Sequence, residues 1–249
     1  MMKFAMAVEH QLIEAAQKLS KDAGRLRFGA PVTHVYNPLA YAWNGHESYL
    51  RRFGGSRKDV VFLGMNPGPF GMVQTGVPFG EIGAVRDWMK IEAVIGRPGP
   101  GLEHPRRPIL GFDCTRSEVS GQRLWKLFAD RFGSAEIFFE RHFVVNYCPL
   151  AFLEASGRNR TPDKLSLAER TRLSKVCDAH LRAVFEILRP KWVVGIGEFA
   201  ARKIEMVGEG MPFKIGQILH PSPASPAANR DWAGQAAGQL QALGIWQND

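Results

Sequence analysis

The stretch that decides the fold is Asp59-Val-Val-Phe-Leu-Gly-Met-Asn-Pro-Gly-Pro-Phe-Gly71. Its first half, residues 59–64, is an apolar run of strand length. Such runs are typical of strands in parallel sheets, where helices cover both faces. Its second half holds two prolines and two glycines around Asn66. Because proline fixes the φ angle and removes an N–H donor, this half predicts a stiff loop directly after the strand.

Three further strands and four helical patterns follow along the chain. The strands are predicted at 142–147, 192–196 and 214–219, and the helices at about 81–91, 121–132, 166–188 and 197–207. Alternating strands and helices predict an α/β fold with a parallel sheet. In open parallel sheets, ligands bind beyond the carboxyl ends of the strands. We therefore expect the loops that follow Gly64, Val145 and Leu219 to line one crevice.

The whole chain, residues 1–249, is predicted to form a single domain. The Gly-, Pro- and Arg-rich segment at 96–108 predicts a long surface loop and not a linker, because the alternation of strands and helices continues past it. Apolar residues recur at helical spacing near the N-terminus, which predicts a helix at about 4–22 that packs outside the core.

The charge of the chain favours a polyanionic partner. Its 32 Lys and Arg against 24 Asp and Glu give a net charge of +8, and 45% of its residues are hydrophobic. This composition is that of a globular protein and excludes a disordered or collagen-like chain. No apolar run approaches the roughly 20 residues of a membrane span, so no membrane partner is expected.

Three cysteines occur, and their spacing fits neither a zinc-binding CxxC pair nor an even-numbered disulfide framework; they are Cys114, Cys148 and Cys177. This usage indicates a reducing compartment. We expect a cytoplasmic protein, associated with the nucleoid in a bacterium, or a nuclear one in a eukaryote.

Two glycine motifs do not predict nucleotide binding. Gly195-Ile-Gly197-Glu-Phe-Ala200 matches the dinucleotide pattern, but the acidic residue expected about 20 positions later is absent. Close packing of strand and helix explains these glycines better. The loop after Gly64 is not followed by the Gly-Lys-Ser/Thr of a phosphate-binding loop.

Three polar side chains stand at strand ends. Asn66 lies in the stiff loop, where it is either a turn residue or an amide held at the mouth of a pocket. His220 begins the proline-rich segment His220-Pro-Ser-Pro-Ala-Ser-Pro226 and is either structural or projected from that loop. Asn146 interrupts an apolar run, so its buried amide is satisfied by backbone or by the donor and acceptor edge of a pyrimidine.

The motifs together resemble a known family. Residues 64–80, Gly-Met-Asn-Pro-Gly-Pro-Phe-Gly-Met-Val-Gln-Thr-Gly-Val-Pro-Phe-Gly, with His220-Pro-Ser-Pro223 resemble the single-strand-selective monofunctional uracil-DNA glycosylases. Asn146-Tyr-Cys-Pro-Leu150, Arg160-Thr-Pro162 and Val193-Val-Gly-Ile-Gly197 also match in the same order. The resemblance covers about residues 35–232. It implies a three-layer α/β/α sandwich around a four-stranded parallel sheet, and excision of uracil and modified or deaminated bases from DNA.

The resemblance implies a role for each catalytic candidate. Asn66 would position the water that attacks the anomeric carbon, and His220 would stabilise the negative charge on the departing base. The backbone N–H of Met65 would assist His220. The base would be flipped out of the stack before reaction.

The resemblance also implies the residues that bind the base. Phe79 would stack on the flipped base and Asn146 would bind its pyrimidine edge. Gly68 and Met72 would lie beside its 5-position, where an ordered water could yield to a substituent. No cofactor and no metal are expected, because the scattered cysteines and Asn66 both differ from the iron–sulfur and aspartate-bearing relatives.

DNA would be bound by the proline-rich loop and the residues that follow it, which are Pro221, Ser222, Pro223, Ala224 and Arg230. Ala224 departs from the family, whose members often carry a larger side chain there to fill the gap left by the flipped base. The implied partners are single- and double-stranded DNA containing uracil or related lesions, bound by a monomer.

Two other functions stay open at this point. The chain could be a catalytically weak module that binds damaged or single-stranded DNA, although the presence of both Asn66 and His220 argues against this. It could also act on free nucleotides, which predicts no dependence on polymer length.

Overall fold

The structure is a computed structural model that describes residues 6–247. These residues form seven strands, which are β1 (Val32–Tyr36), β2 (Val60–Gly64), β3 (His142–Asn146), β4 (Ala151–Glu154), β5 (Asn159–Arg160), β6 (Trp192–Ile196) and β7 (Lys214–Ile218).

The same residues form nine α-helices, which are α1 (Val8–Gly24), α2 (Pro38–Tyr41), α3 (Trp43–Phe53), α4 (Met72–Thr75), α5 (Val119–Phe132), α6 (Ala135–Arg141), α7 (Leu167–Leu188), α8 (Glu198–Val207) and α9 (Pro226–Ala242). A π-helical turn lies at Ala84–Trp88, and 3-10 turns lie at Gly111–Asp113 and Pro162–Lys164. Among the described residues, no helix is long and apolar enough to span a membrane.

The central sheet has four parallel strands in the order β3-β2-β6-β7. Every residue of β2 and β3 is buried, as the unbroken apolar sequence of β2 predicts for a strand covered on both faces; β3 also buries two polar residues, His142 and Asn146. Helices flank the sheet: α8 packs on β6 and β7, α1 packs on α7 and α3, and α5 packs on α6 and α9. The predicted α/β/α sandwich around a four-stranded parallel sheet is confirmed.

A cluster of aromatic rings fills the core between the sheet and the α5–α6 pair. Phe128 stacks on Phe138 with 4.3 Å between ring centroids, and Trp125 meets the edge of Phe138 at 6.1 Å. Burying rings of this size contributes a large share of the hydrophobic stabilisation. It also fixes α5, whose N-terminus lies at the crevice described below.

A second sheet lies outside the predicted one. Strands β1, β4 and β5 pair antiparallel in the order β1-β4-β5. The sequence analysis did not predict it, because these strands are short and β5 has two residues. This small sheet places Asn159 beside the loop after β2, where its Nδ2 atom donates to the carbonyl of Pro67 over 3.3 Å.

The helix predictions differ from the structure in several places. Helix α1 runs from Val8 to Gly24, while residues 4 and 5 of the predicted 4–22 lie outside the described residues. The pattern at 81–91 corresponds to the shorter π-helical turn at Ala84–Trp88. Helices α3, α6 and α9 were not predicted.

The register of the strands brings their carboxyl ends to one edge. Gly64 pairs with Asn146, and Ile196 pairs with Ile218. The loops that follow β2, β3, β6 and β7 therefore begin side by side, as expected for a binding crevice in a parallel sheet.

Candidate active site

A cleft of about 560 Å³ lies at the carboxyl edge of the central sheet. Its walls come from six segments, and it is lined by Met65, Asn66, Gly68, Pro69, Phe70, Phe79, Arg116, Ser117, Glu118, Val119, Ser120, Asn146, Asn159, Thr161, His220, Ser222 and Pro223. The volume is that of a small-molecule site, and polar and charged side chains make up more than half of the lining residues.

Hydrogen bonds hold the loop after β2 from both sides. The backbone N–H of Tyr147 donates to the carbonyl of Gly64, and that of Cys148 donates to the carbonyl of Met65, each over 2.9 Å. The buried side chain of Gln74 donates to the carbonyl of Pro69 over 3.0 Å. The loop is therefore fixed before any ligand binds, which lowers the entropy lost on binding.

The amide of Asn66 has a defined orientation. Its Nδ2 atom donates to the carbonyls of Pro67 and Leu150, both over 3.4 Å. Because carbonyls only accept, these two contacts assign the nitrogen side of the amide. Among the described residues none donates a hydrogen bond to Oδ1 of Asn66. That oxygen is therefore available to accept a hydrogen bond from water.

Asn146 forms the buried end of the cleft. Its Nδ2 atom donates to Sδ of Met72 over 3.3 Å, and its Oδ1 atom is buried without a partner among the described residues. An unpaired buried oxygen costs about 1–3 kcal/mol, which a ligand N–H would recover. Strand residue Gly64 makes room for this arrangement, because a Cβ atom there would overlap Asn146 Oδ1 and the ring of Phe79.

Phe79 adopts a backbone conformation that is unusual for a bulky residue. Its φ angle is +52°, in the left-handed region. The indole N–H of Trp125 donates to its carbonyl over 2.8 Å, and the backbone N–H of Glu81 donates to the same oxygen over 2.7 Å. Strained residues of this kind persist where the surroundings hold them, often at functional sites.

His220 lies across the cleft from Phe79, with 6.4 Å between ring centroids. The backbone N–H of Ser222 donates to Nδ1 over 3.1 Å, so Nδ1 carries no proton. Burial lowers the pKa of His220 below its ordinary value. The imidazole is therefore neutral at pH 7, and its single N–H donor is at Nε2.

Packing of Gly197 supports His220. A Cβ atom on Gly197 would lie 3.0 Å from Cβ of His220, and the φ angle of Gly197 is +86°. A Cβ atom on Gly195 would overlap the backbone of Ala201 at the start of α8. These glycines permit close approach between strand, helix and the His220 loop. Their sequence pattern predicted such packing and not nucleotide binding.

Hydrogen bonds connect the loop after His220 to α5 and α9. One Nη atom of Arg123 donates to the carbonyl of Pro221 over 3.1 Å, and the other donates to Oδ1 of Asn229 over 3.0 Å. The amide of Asn229 donates to the carbonyl of Pro223 over 2.8 Å. The exposed Ala224 lies at the tip of this hydrogen-bonded turn.

The structure brings most of the predicted site residues together, and eight of them line the cleft: Met65, Asn66, Gly68, Phe79, Asn146, His220, Ser222 and Pro223. Met72 contacts Asn146 behind the cleft wall. Pro221 is buried beneath the loop, while Ala224 and Arg230 are exposed outside the cleft on its proline-rich side.

The sequence analysis missed the wall formed by residues 116–120 and the ring of Phe70. Glu118 is half-buried, with its carboxyl group against Gly68 and Gly71 of the loop that carries Asn66, and Arg116 lies over Phe70 with 4.1 Å between its Cζ atom and the ring centroid. Trp125, which holds Phe79, was also missed. The available signal was the sequence Arg-Ser-Glu-Val-Ser before a predicted helix, which places acidic and hydroxyl groups at its start.

Metal ligands are not grouped in the part of the chain that the structure describes, where no three His, Cys, Asp or Glu side chains could hold one ion. The three cysteines are free and buried.

Comparison with known proteins assigns the family. A family model described as "Uracil DNA glycosylase superfamily" matches residues 52–240, which include every cleft residue. The chain belongs to the uracil-DNA glycosylase superfamily.

Relatives within the superfamily agree with the motifs. The chain is 43% identical over 243 residues to the "Single-strand selective monofunctional uracil-DNA glycosylase" of Rattus norvegicus, covering 97% of this chain and 87% of that protein. It is 45% identical over 230 residues to the Bos taurus protein of the same description, covering 92% and 84%. The predicted membership in this glycosylase family is confirmed.

A solved structure supports the fold of the family. It is described as wild-type Pedobacter heparinus SMUG2 and has a TM-score of 0.65 and 16% sequence identity to this chain. The similarity covers 93% of this chain and 99% of that one. At this identity the likeness concerns the fold alone.

Proposed function

We propose that the protein excises uracil from DNA as a monofunctional glycosylase and leaves an abasic site. The observation that carries this proposal is the meeting of Asn66, Phe79, Asn146 and His220 in one cleft. Family membership supports the reaction class. The side chains supply what the hydrolysis of an N-glycosidic bond requires: a base-binding end, a water-binding oxygen and a donor for the leaving group.

Recognition of the base is assigned to Asn146 and Phe79. A uracil edge offers an N–H donor beside a carbonyl acceptor, and these complement the unpaired Oδ1 and the Nδ2 of Asn146. The ring of Phe79 would stack on the base. The target nucleotide must leave the helical stack to reach Asn146, because this residue is at the buried end of the cleft.

Departure of the base is assigned to His220. Breaking the glycosidic bond places negative charge on uracil, and a preorganised N–H donor stabilises that charge without reorganisation. The bond from Ser222 leaves Nε2–H as this donor. The backbone N–H of Met65 is proposed as a second donor, and Gly68 and Met72 as the neighbours of the 5-position of the base.

Attack at the anomeric carbon is assigned to water held by Asn66. An amide oxygen is too weak a base to deprotonate water in advance, so bond cleavage must run ahead of attack. Positive charge then develops on the sugar. No lysine lines the cleft among the described residues, which supports hydrolysis by water over a Schiff-base intermediate.

DNA contacts are proposed for the proline-rich loop and the exposed arginines near it. Pro221 supports the loop, Ser222, Pro223 and Ala224 form its surface, and Arg230 follows on α9. The net charge of +8 supplies attraction for phosphates of single- and double-stranded DNA.

We further propose that the protein acts as a monomer, because every group assigned above comes from one chain. We propose, from its DNA substrate, a location in the nucleoid region of a bacterial cytoplasm or in a nucleus. The three buried thiols are compatible with a reducing compartment.

A panel of single-lesion oligonucleotides tests the function. The protein is incubated with strands that contain uracil, a 5-substituted uracil or xanthine, and abasic products are cleaved with alkali. We expect cleavage of uracil strands only after alkali and none of free deoxyuridine. Binding without excision would favour the alternative, a DNA-binding module, and an abundant borohydride-trapped adduct would contradict attack by water.

A further inference from the structure

Glu118 is a buried carboxyl group at the cleft that the proposed mechanism does not use. It is the residue before α5, and it lines the cleft beside Gly68. A Cβ atom on Gly68 would overlap its Oε1, and one on Gly71 would overlap its Oε2. The carboxyl group therefore fills the space that side chains at both positions would need.

The glycine at position 68 is explained by this contact. Residues with positive φ angles favour glycine, but Gly68 is not one of the residues that adopt such an angle. Its missing side chain is instead replaced by the carboxyl group of Glu118. Gly68 lies two residues after Asn66 in the same stiff loop, so the contact fixes the segment that carries Asn66.

Among the described residues no hydrogen-bond donor meets the carboxyl group of Glu118, and its Oε2 atom is buried. Burial, and after it the nearby carboxylate of Glu81, raise the pKa of Glu118 to about 7. No other charged or titratable group at this wall lowers the pKa of Glu118 again. Arg116 lies over the ring of Phe70, and His220 across the cleft is neutral.

We propose that Glu118 is a positioning residue, whose carboxyl group packs between Gly68 and Gly71 and thereby holds Asn66 in place for the reaction. This inference rests on the proposed function of Asn66. The uncharged carboxylic acid is the active form. An ionised Glu118 would be unpaired in a buried site, would be repelled by Glu81, and would oppose the negative charge that develops on the departing base.

A size-swap experiment tests the contact. Single-turnover excision of uracil is measured for Gly68→Ala, Glu118→Ala and the double variant. We expect Gly68→Ala to slow excision by about 100-fold, because the new methyl displaces the loop, and Glu118→Ala by about 10-fold. The double variant should be at least about 10-fold faster than Gly68→Ala, because the methyl then has room.

The free energy of unfolding of the same four proteins gives a second measure of the coupling, independent of excision. Penalties that simply add in both measurements would overturn the proposal. An inactive wild-type protein would instead contradict the proposed function, and the unfolding cycle would still decide whether Glu118 and Gly68 are coupled.

A pH profile shows whether the protonation state of Glu118 matters or only the size of its side chain. Excision is followed from about pH 5.5 to about pH 9 for the wild type, Glu118→Gln and Glu209→Gln, an exposed control. We expect the wild-type and control rates to fall above about pH 7, and the Glu118→Gln rate to stay flat there.

Two results would overturn this assignment. A falling limb that persists in Glu118→Gln would assign it to another group. A rate that rises through pH 7 in the wild type and not in Glu118→Gln would make Glu118 a general base and not a positioning residue.

Discussion

The backbone N–H of Ser222 donates a hydrogen bond to Nδ1 of His220 over 3.1 Å. This contact fixes the tautomer of the imidazole and joins the catalytic candidate to the loop proposed to contact DNA. Protonation of Nδ1 would break it. Since burial already lowers the pKa of His220, the bond and the burial both favour the neutral ring.

Excision should therefore fall on the acid side, below the ordinary histidine pKa. As pH drops through the lowered pKa of His220, Nδ1 gains a proton. It can then no longer accept the hydrogen bond from the backbone N–H of Ser222, and the orientation of the ring is no longer fixed. We expect ¹⁵N NMR to show a neutral ring protonated at Nε2 at pH 7. A ring protonated at Nδ1 would contradict this assignment.

Replacement of His220 measures its electrostatic contribution. His220→Ala should slow single-turnover excision by about 10²–10³-fold, the usual cost of one preorganised donor, while binding to uracil-containing strands persists. His10→Ala, an exposed histidine on α1, is the control. Excision at the wild-type rate by a folded His220→Ala protein would refute the role.

Asn66 should be needed for water attack. Asn66→Ala should slow uracil excision by about 100-fold or more, because the attacking water loses its acceptor. Asn66→Asp should retain activity, since a carboxylate also stabilises positive charge on the sugar. Asn44→Ala is the matched control, because the amide of Asn44 also donates to a backbone carbonyl, that of Val94. Equal rates for Asn66→Ala and the control would exclude this mechanism.

Trp125 should control the position of Phe79. Trp125→Phe removes the indole donor to the Phe79 carbonyl, and we expect kcat/KM to fall by about 10-fold or more with about 1 kcal/mol lost from the free energy of unfolding. Trp88→Phe is the matched control, because its indole donates to the carbonyl of Gly133 instead. If both variants lose activity equally, the effect is general destabilisation.

Exposed arginines in and near the cleft should set the salt dependence of DNA binding. Arg116 and Arg230 form no ion pair within the described residues. Arg116→Ala and Arg230→Ala should each reduce the slope of log affinity against log salt by about 0.7 for single strands. Arg51→Ala, whose guanidinium pairs with Glu47 over 2.6 Å, should leave it unchanged. Unaltered slopes in the first two variants would place the DNA elsewhere.

A larger residue at the tip of the proline-rich loop should retain the abasic product. Ala224→Arg should bind abasic duplex DNA more tightly and turn over more slowly, because its side chain can fill the vacated stack. Ala179→Arg adds the same charge to an exposed position on α7 and controls for it. Equal affinities would mean that another residue, such as Pro223, already fills the gap.

The sequence predicted the central sheet well, because β2 and β3 are buried on both faces and their central residues are apolar. Helix α9 was missed for the opposite reason. Its Ala, Gly and Gln residues give almost no apolar periodicity, and four buried positions hold it, of which Trp232 is the largest. Tertiary packing, not local pattern, decides that helix.

The candidate site also contains residues that a local sequence pattern reveals and residues that it does not. Asn66 and His220 stand out because prolines surround them in sequence. Glu118 looks like an ordinary acidic residue at a helix start, and its burial is decided by a loop about 50 positions earlier. Trp125 gives no local signal at all, since its indole acts on the backbone of Phe79. Contacts between distant segments cannot be read from either segment alone.

The missing side chain of Gly64 limits how the substrate range can evolve. Many pockets can be enlarged by shortening a residue that supports their walls, but the position behind Asn146 and Phe79 already carries the smallest amino acid. More space at this end of the cleft must therefore come from one of those two side chains, and base recognition changes with it. Variation at position 64 can only narrow the range of bases accepted.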